Sequence, residues 1–215
     1  MPGVEQVFKL SYGGRKRLIG RWYALLASLE IDPGAHFSLL DELLTRHTEP
    51  QRYYHNLAHL DTLLDLLPQE PPLEFAAWFH DAIYDPTRTD NERQSALLAE
   101  QSLERLGVAA TLIAQVSAMI LATQTHQTSD PQTALFLDAD LAILGADTPT
   151  YRAYARAIRR EYAWVPETLF RQRRAQVLQR FLSRPRIYSS ESFARLELPA
   201  RANLELELRE LTAPA

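Results

Sequence analysis

Apolar residues recur at helical spacing along most of this chain, and that recurrence limits the fold more than any other feature. Residues 16–30 carry Leu18, Trp22, Leu25 and Leu26. After Pro33 come Phe37, Leu40, Leu43 and Leu44. Residues 56–67 align Leu60, Leu63, Leu64 and Leu67, and residues 109–126 align Leu112, Ile113, Val116, Met119, Ile120 and Thr123. Each set follows the i, i+3, i+4, i+7 pattern of a helix with one buried face. Pro166 suits the first position of a helix running to about Leu182. Strand signals are scarce. The one run that could be a strand, Ala134–Leu137, leads into Asp138–Leu144, which reads as a continuing helix. The expectation is an all-α, single-domain helical bundle.

Punctuation fits that reading. Pro68, Pro71 and Pro72 mark a turn between helices, and Arg184–Ser190 reads as a loop before a C-terminal helical region broken at Pro199. At 215 residues the chain can bury a large core without cross-links. One domain over residues 1–215 is expected, with a core of about 50–145 and C-terminal helices 148–215 packing on it. There is no cysteine, which excludes disulfides, thiolate metal sites and cysteine nucleophiles. Any metal must be held by nitrogen and oxygen. No run approaches a membrane span, and Met1–Tyr12 shows no secretory pattern. A soluble, cytoplasmic protein is the default expectation.

A net charge of −4 argues against nucleic acid as a partner. The charge is uneven: residues 150–186 hold ten arginines against Glu161 and Glu167. Solvated helix faces account for such a stretch, and so do arginines facing an anion.

Four of the six histidines are candidates for chemistry. His36 and His47 read as ordinary structural or surface residues. His55 and His59 are spaced i, i+4 and would share one helix face, with His59 at the edge of the leucine stripe. A core histidine bonded to a carbonyl would explain His59 as well. His80 and Asp81 end the apolar run Phe75–Phe79, where a cap or ion pair is an equal explanation. Asp138 and Asp140 sit within Leu135–Leu144, too apolar for two carboxylates unless they are paired or on a metal. Helix capping accounts for one of them, not readily for both.

Each residue alone has a plain structural reading; together they suit a divalent-metal site. Imidazoles with carboxylates match an octahedral centre with positions left for water, whose pKa the metal lowers. Manganese, magnesium, iron, cobalt, nickel and zinc all fit such ligands.

On these residues the sequence resembles the HD superfamily, in which a His, an adjacent His-Asp pair and a distant Asp hold metal on a helical bundle. The matching positions are His59, His80, Asp81 and Asp140, with the lead-in Ala76-Ala-Trp-Phe-His-Asp81. The chain is also similar to one subgroup, the predicted metal-dependent HD phosphohydrolases. That similarity rests on Tyr53-Tyr-His-Asn-Leu-Ala-His59, Asn91-Glu92, Ile158-Arg-Arg-Glu-Tyr162 and Ala200-Arg-Ala-Asn-Leu204.

The string His55-Asn-x-x-His59 resembles one in cyclic-nucleotide phosphodiesterases. That implies His59 as a ligand and His55 as the general acid to the leaving oxygen. The Ala-Asp-Leu context favours Asp140 over Asp138 as the last ligand, with Asp138 supporting it. Ala122-Thr-Gln-Thr-His126 resembles the phosphodiesterase segment before its last ligand, so His126, on the interior stripe of its helix, is expected at a second metal or the substrate phosphate. The rest of the phosphodiesterase nucleotide pocket is not recognisable, so cyclic nucleotides are not implied.

Asp81 is expected to take part in catalysis as well as in metal binding. Glu92 is a candidate to orient the attacking water, against helix capping. Asn91, Arg52 and Arg159 are candidates to bind substrate. The expectation is a hydrolase acting on a small phosphate ester, a phosphomonoester or phosphodiester of a metabolite or nucleotide, with a divalent metal ion as cofactor. A homo-oligomer is compatible with the sequence. Two rivals are a metal-stabilised regulatory or nucleotide-binding module without turnover, and an HD-type di-iron oxygenase, which needs further histidine ligands.

Overall fold

The computed structural model describes residues 8–213. Residues 1–7, part of the segment read above for a secretory signal, lie outside the described residues. Among the described residues there is no strand. The helices are α1 (Tyr12–Ser28), α2 (Phe37–Arg46), α3 (Leu57–Leu66), α4 (Pro71–Phe79), α5 (Asn91–Arg105), α6 (Ala110–Ala122), α7 (Pro131–Asp140), α8 (Thr148–Glu161), α9 (Glu167–Leu182) and α10 (Glu197–Thr212). Short 3-10 turns cover Gly34–His36, Leu141–Gly145 and Glu191–Leu196. The all-helical expectation is met. No helix of the described residues is long and apolar enough to cross a membrane. The chain divides into two compact units, Phe8–Leu137 and the described part of Asp138–Ala215.

In the first unit the organising element is α4. Pro71 and Pro72 open it, where their missing N–H groups have no intrahelical role. Every residue from Leu73 to Phe79 is buried, because α3, α5 and α6 all pack against this helix. Trp22 of α1 meets Phe75, Trp78 and Phe79 in edge-on or tilted contacts. Fully burying side chains of this kind stabilises by roughly 1.5–3 kcal/mol each. Two arginines brace α1 against its neighbours: Arg17 pairs with Asp61 of α3, and Arg21 with the buried Glu74 of α4. Gly107 (φ 76°) closes α5 in the left-handed region, and the next amide, of Val108, returns to the Leu103 carbonyl at 3.0 Å.

The second unit is built from α8, α9 and α10. Asp147 caps α8 by accepting from the Thr150 amide at 2.8 Å. Asn203 of α10 donates to the carbonyls of Leu144 and Ala146 at 2.9 and 2.8 Å, which gives the Ala-Asn-Leu string a local role. Gly145 is required where it stands, since a Cβ there would lie 2.6 Å from the Leu196 Cβ and 2.9 Å from its carbonyl oxygen.

Several boundaries differ from the sequence reading. Ala134–Leu137 is helical, inside α7. Phe37 is exposed, and Leu39 joins Leu40, Leu43 and Leu44 on the buried face of α2. Pro166 caps α9 in an extended conformation, one residue before the helix. Pro199 does not break the C-terminal helix. It falls in the first turn of α10, where no intrahelical N–H is required.

Candidate metal centre

The string His55-Asn56-x-x-His59 works through its asparagine. Asn56 is the N-cap of α3, its side-chain oxygen accepting from the Ala58 amide at 2.8 Å. The cap splits the two histidines between structures. His59 lies in the first turn of α3 and is buried. His55 precedes the helix, in the turn, so the shared helix face expected from i, i+4 spacing does not exist. The turn still brings the two rings together, with centroids 5.9 Å apart. Tyr54 packs on both rings, at 5.1 Å from His55 and 4.9 Å from His59.

The second imidazole comes from the end of α4. His80 is the C-cap residue, held by its amide to the Ala76 carbonyl at 2.9 Å. Its ring Nδ1 lies 2.9 Å from the Ala77 carbonyl, which can only accept. A proton therefore sits on Nδ1, and whenever the ring is neutral Nε2 presents a lone pair. That lone pair faces His59 Nε2 at 3.2 Å. The His80 ring packs edge-on against Phe136 at 5.8 Å, which fixes it from the opposite side.

Asp81 adds a carboxylate oxygen to the same spot. Its Oδ2 is 3.2 Å from His80 Nε2 and 3.9 Å from His59 Nε2. Burial works against its charge, yet His80, His55 and His59 outweigh burial and hold the carboxyl well below the usual carboxylate range. The convergence of two Nε2 atoms and one Oδ2 matches what a divalent ion requires. Ligands at about 2.0–2.1 Å from one metal lie about 2.8–3.4 Å apart at octahedral or tetrahedral angles; the two 3.2 Å spacings fall in that range, and the 3.9 Å spacing of His59 and Asp81 lies outside it. His59 and His80 are members of a group of side chains that could hold a metal ion.

The other expected residues fall elsewhere. Arg52 does not face a substrate phosphate. Its side chain has no exposed surface, and its guanidinium donates to Glu49 and to the carbonyls of His55, Asp81 and Ala82. Asn91 is tied to a loop: its Nδ2 donates to the Asp85 carbonyl at 2.8 Å, and its Oδ1 accepts the Asp85 amide at 3.1 Å. Glu92 lies in the first turn of α5, half-buried, where the helix dipole favours a negative charge. His126 is not on the interior stripe of α6. The helix ends at Ala122, and the chain turns so that His126 takes a left-handed conformation (φ 51°), half-buried.

In the second unit, Arg159 is engaged by the protein itself. It bonds Glu167 at 2.9 Å and the carbonyls of Tyr162 and Val165 at 2.7 and 3.1 Å, closing the end of α8. Much of the arginine-rich stretch is occupied in the same way, by Arg152 with Glu210, Arg174 with Glu207 and Arg186 with Glu191. Asp138 accepts the amides of Ser189 and Ser190 at 3.0 and 2.6 Å, anchoring the loop before α10. Asp140 ends α7, half-buried.

Three contributors gave little or no sequence signal. The Ala77 carbonyl that sets the His80 tautomer is backbone, which any residue could supply. Tyr84 stacks on His55 at 4.3 Å with an interplanar angle of 28°; an aromatic residue three positions after Asp81 was the only hint. His47 is fully buried, its Nε2 3.2 Å from the Trp78 carbonyl, and burial pushes its pKa down to about 3. Compared with known proteins, the chain matches no family model, no curated protein and no solved structure.

Proposed function

We propose that this protein is a metal-dependent hydrolase of phosphate esters. The observation that carries the reading is the pair of buried Nε2 atoms 3.2 Å apart, with the proton of His80 committed to the Ala77 carbonyl. The proposed ligands are His59 and His80, with Asp81 beside them, and Asp140 from the sequence pattern. The HD-like reading of the sequence selects the same four residues. A divalent ion held there supplies Lewis acidity and lowers the pKa of water enough to give a nucleophile near neutral pH.

The chain's own residues supply the rest. With the Nδ1 proton of His80 committed to the Ala77 carbonyl, the Nε2 lone pair of the neutral ring is left for coordination. His55, stacked on Tyr84 and 5.9 Å from His59, protonates the leaving oxygen as the P–O bond breaks. The segment Ala82–Asp85, which follows the ligand pair, forms one wall of a cleft of about 530 Å³, and neither His55 nor a proposed metal ligand lines it.

The test is hydrolysis of a panel of phosphomonoesters, phosphodiesters and nucleotides, followed through release of the alcohol product, with and without Mn²⁺. Metal-stimulated release is expected. It should disappear in His80→Ala and fall by roughly 10²–10⁴-fold in His55→Ala. If the wild type at full metal occupancy hydrolyses none of them, the reading fails.

A further inference from the structure

We propose that Arg52 is a positioning residue that sets the geometry between His55 and Asp81, an inference that rests on the metal-centre reading above. The guanidinium lies between two stretches of chain with no regular structure. One is the turn that carries His55; the other follows α4 and carries Asp81. Its Nη1 donates to the His55 carbonyl at 3.1 Å and to the Asp81 carbonyl at 2.6 Å, and Nη2 donates to the Ala82 carbonyl at 3.1 Å. Nε donates to the Glu49 carboxylate at 3.0 Å, which fixes the plane of the group.

The same cation lies 5.4 Å from the Tyr84 ring, whose stacking on His55 was described above. Arg52 therefore holds His55 twice, through its backbone carbonyl and through the ring behind its imidazole. It holds Asp81 through the backbone of the residue itself. Three carbonyls and a carboxylate converging on a side chain with no exposed surface leave no direction for a substrate anion to approach.

Lysine cannot replace this arrangement. An ammonium is a point charge with three donors, whereas these acceptors lie around the edge of one plane. Without the fork, the His55 turn and the Asp81 segment lose the link that ties them. The Nε2–Oδ2 spacings then depend only on the ends of α3 and α4.

The experiment uses the full-length protein with Arg52→Lys, Arg52→Ala and, as a control, Arg46→Ala, whose guanidinium pairs with Glu42 at the surface. Titration calorimetry with Zn²⁺ or Mn²⁺ is expected to show affinity lowered roughly 10–100-fold in both Arg52 variants. Arg46→Ala should keep wild-type affinity, and added guanidinium, but not methylammonium, should partly restore Arg52→Ala. Circular dichroism checks that the variants remain folded; should Arg52→Ala unfold, Arg52→Lys decides. In parallel, imidazole ¹H–¹⁵N spectra of metal-free protein should show displaced His55 and His80 signals in Arg52→Lys. Wild-type affinity in Arg52→Lys, or unchanged imidazole signals, overturns the proposal. If the wild type binds no metal, the metal-centre reading fails, and the metal-free spectra alone decide the role of Arg52.

Discussion

Two buried polar clusters, one in each unit, resolve their charge in opposite ways. In the second unit, Arg174 of α9 grips Glu207 of α10 with Nε and Nη2, at 2.8 and 3.0 Å, and the Tyr151 hydroxyl of α8 donates to the same carboxylate. A cation meets an anion, and three helices are locked together. In the first unit, His59 Nε2, His80 Nε2 and Asp81 Oδ2 converge within 3.9 Å. Two ring nitrogens and a carboxylate oxygen crowd one spot, and the only fixed charge among them is the negative one of Asp81. The first arrangement is complete in itself and is a structural fastening. The second becomes favourable when positive charge joins it, which is the electrostatic signature of a cation site.

The largest effects should separate the two clusters most sharply. His80→Ala and His59→Ala each remove one of the paired nitrogens, and metal affinity is expected to fall by at least about 100-fold, since direct ligands matter more than the 10–100-fold typical of their supports. For the wild type, added metal should raise the melting temperature and a chelator should reverse the rise. Binding at wild-type strength in either variant would remove the contrast between the clusters.

Glu207→Ala is the counterpart in the second unit. It leaves Arg174, nine-tenths buried, without its carboxylate. Stability should drop by about 3–5 kcal/mol, read from urea unfolding, while metal affinity stays unchanged. Replacing both partners, Arg174→Met with Glu207→Leu, should recover most of that loss. A Glu207→Ala protein as stable as the wild type would show that the fastening contributes little.

The third effect is a pH dependence. His47 is neutral when folded, because burial holds its pKa at about 3, and its ring donates to the Trp78 carbonyl just before the ligand pair. In the unfolded chain a histidine titrates near 6.5. Between those values the unfolded state binds the extra proton, so stability is full above about pH 6.5 and declines as the pH falls towards 3. The slope is at most about 1.4 kcal/mol per pH unit. Asp81 acts in the same direction at lower pH, since its depressed carboxyl is protonated last. His47→Gln keeps a donor for the carbonyl and should flatten urea midpoints measured between pH 6.5 and 4.5. An unchanged slope in that variant would place the dependence elsewhere.

Much of the fold was legible because burial follows the helical period: Leu60, Leu63 and Leu64 in α3, and Ile113, Val116, Met119 and Ile120 in α6, are all buried. Helix ends were less legible. His126 shares the stripe spacing of α6 in sequence, but the chain leaves the helix four residues earlier, and no glycine or proline marks that exit. His55 was misplaced for the opposite reason: Asn56 starts α3 behind it, a capping signal present in the string but read as part of the chemistry. Arginine was the least legible residue type. Whether Arg52 and Arg159 face solvent, a ligand or backbone carbonyls depends on where loops pass in space, and local pattern carries no such information.

The smallest effect bears on the two aspartates of α7, which sequence alone could rank only by context. Asp138 is buried and accepts two backbone amides, from Ser189 and Ser190. Asparagine at 138 keeps one acceptor oxygen but turns an amide donor towards one of those N–H groups. Asp138→Asn should therefore cost about 1–2 kcal/mol of stability, with metal affinity near that of the wild type. Asp140→Asn should do the reverse for the metal, lowering its affinity more than Asp138→Asn does. Calorimetry and thermal melts on the two variants decide between them. If Asp138→Asn lost the metal and Asp140→Asn kept it, the carboxylate roles would be exchanged, and the loop at Ser189–Ser190 would have to be held by something other than the charge on Asp138.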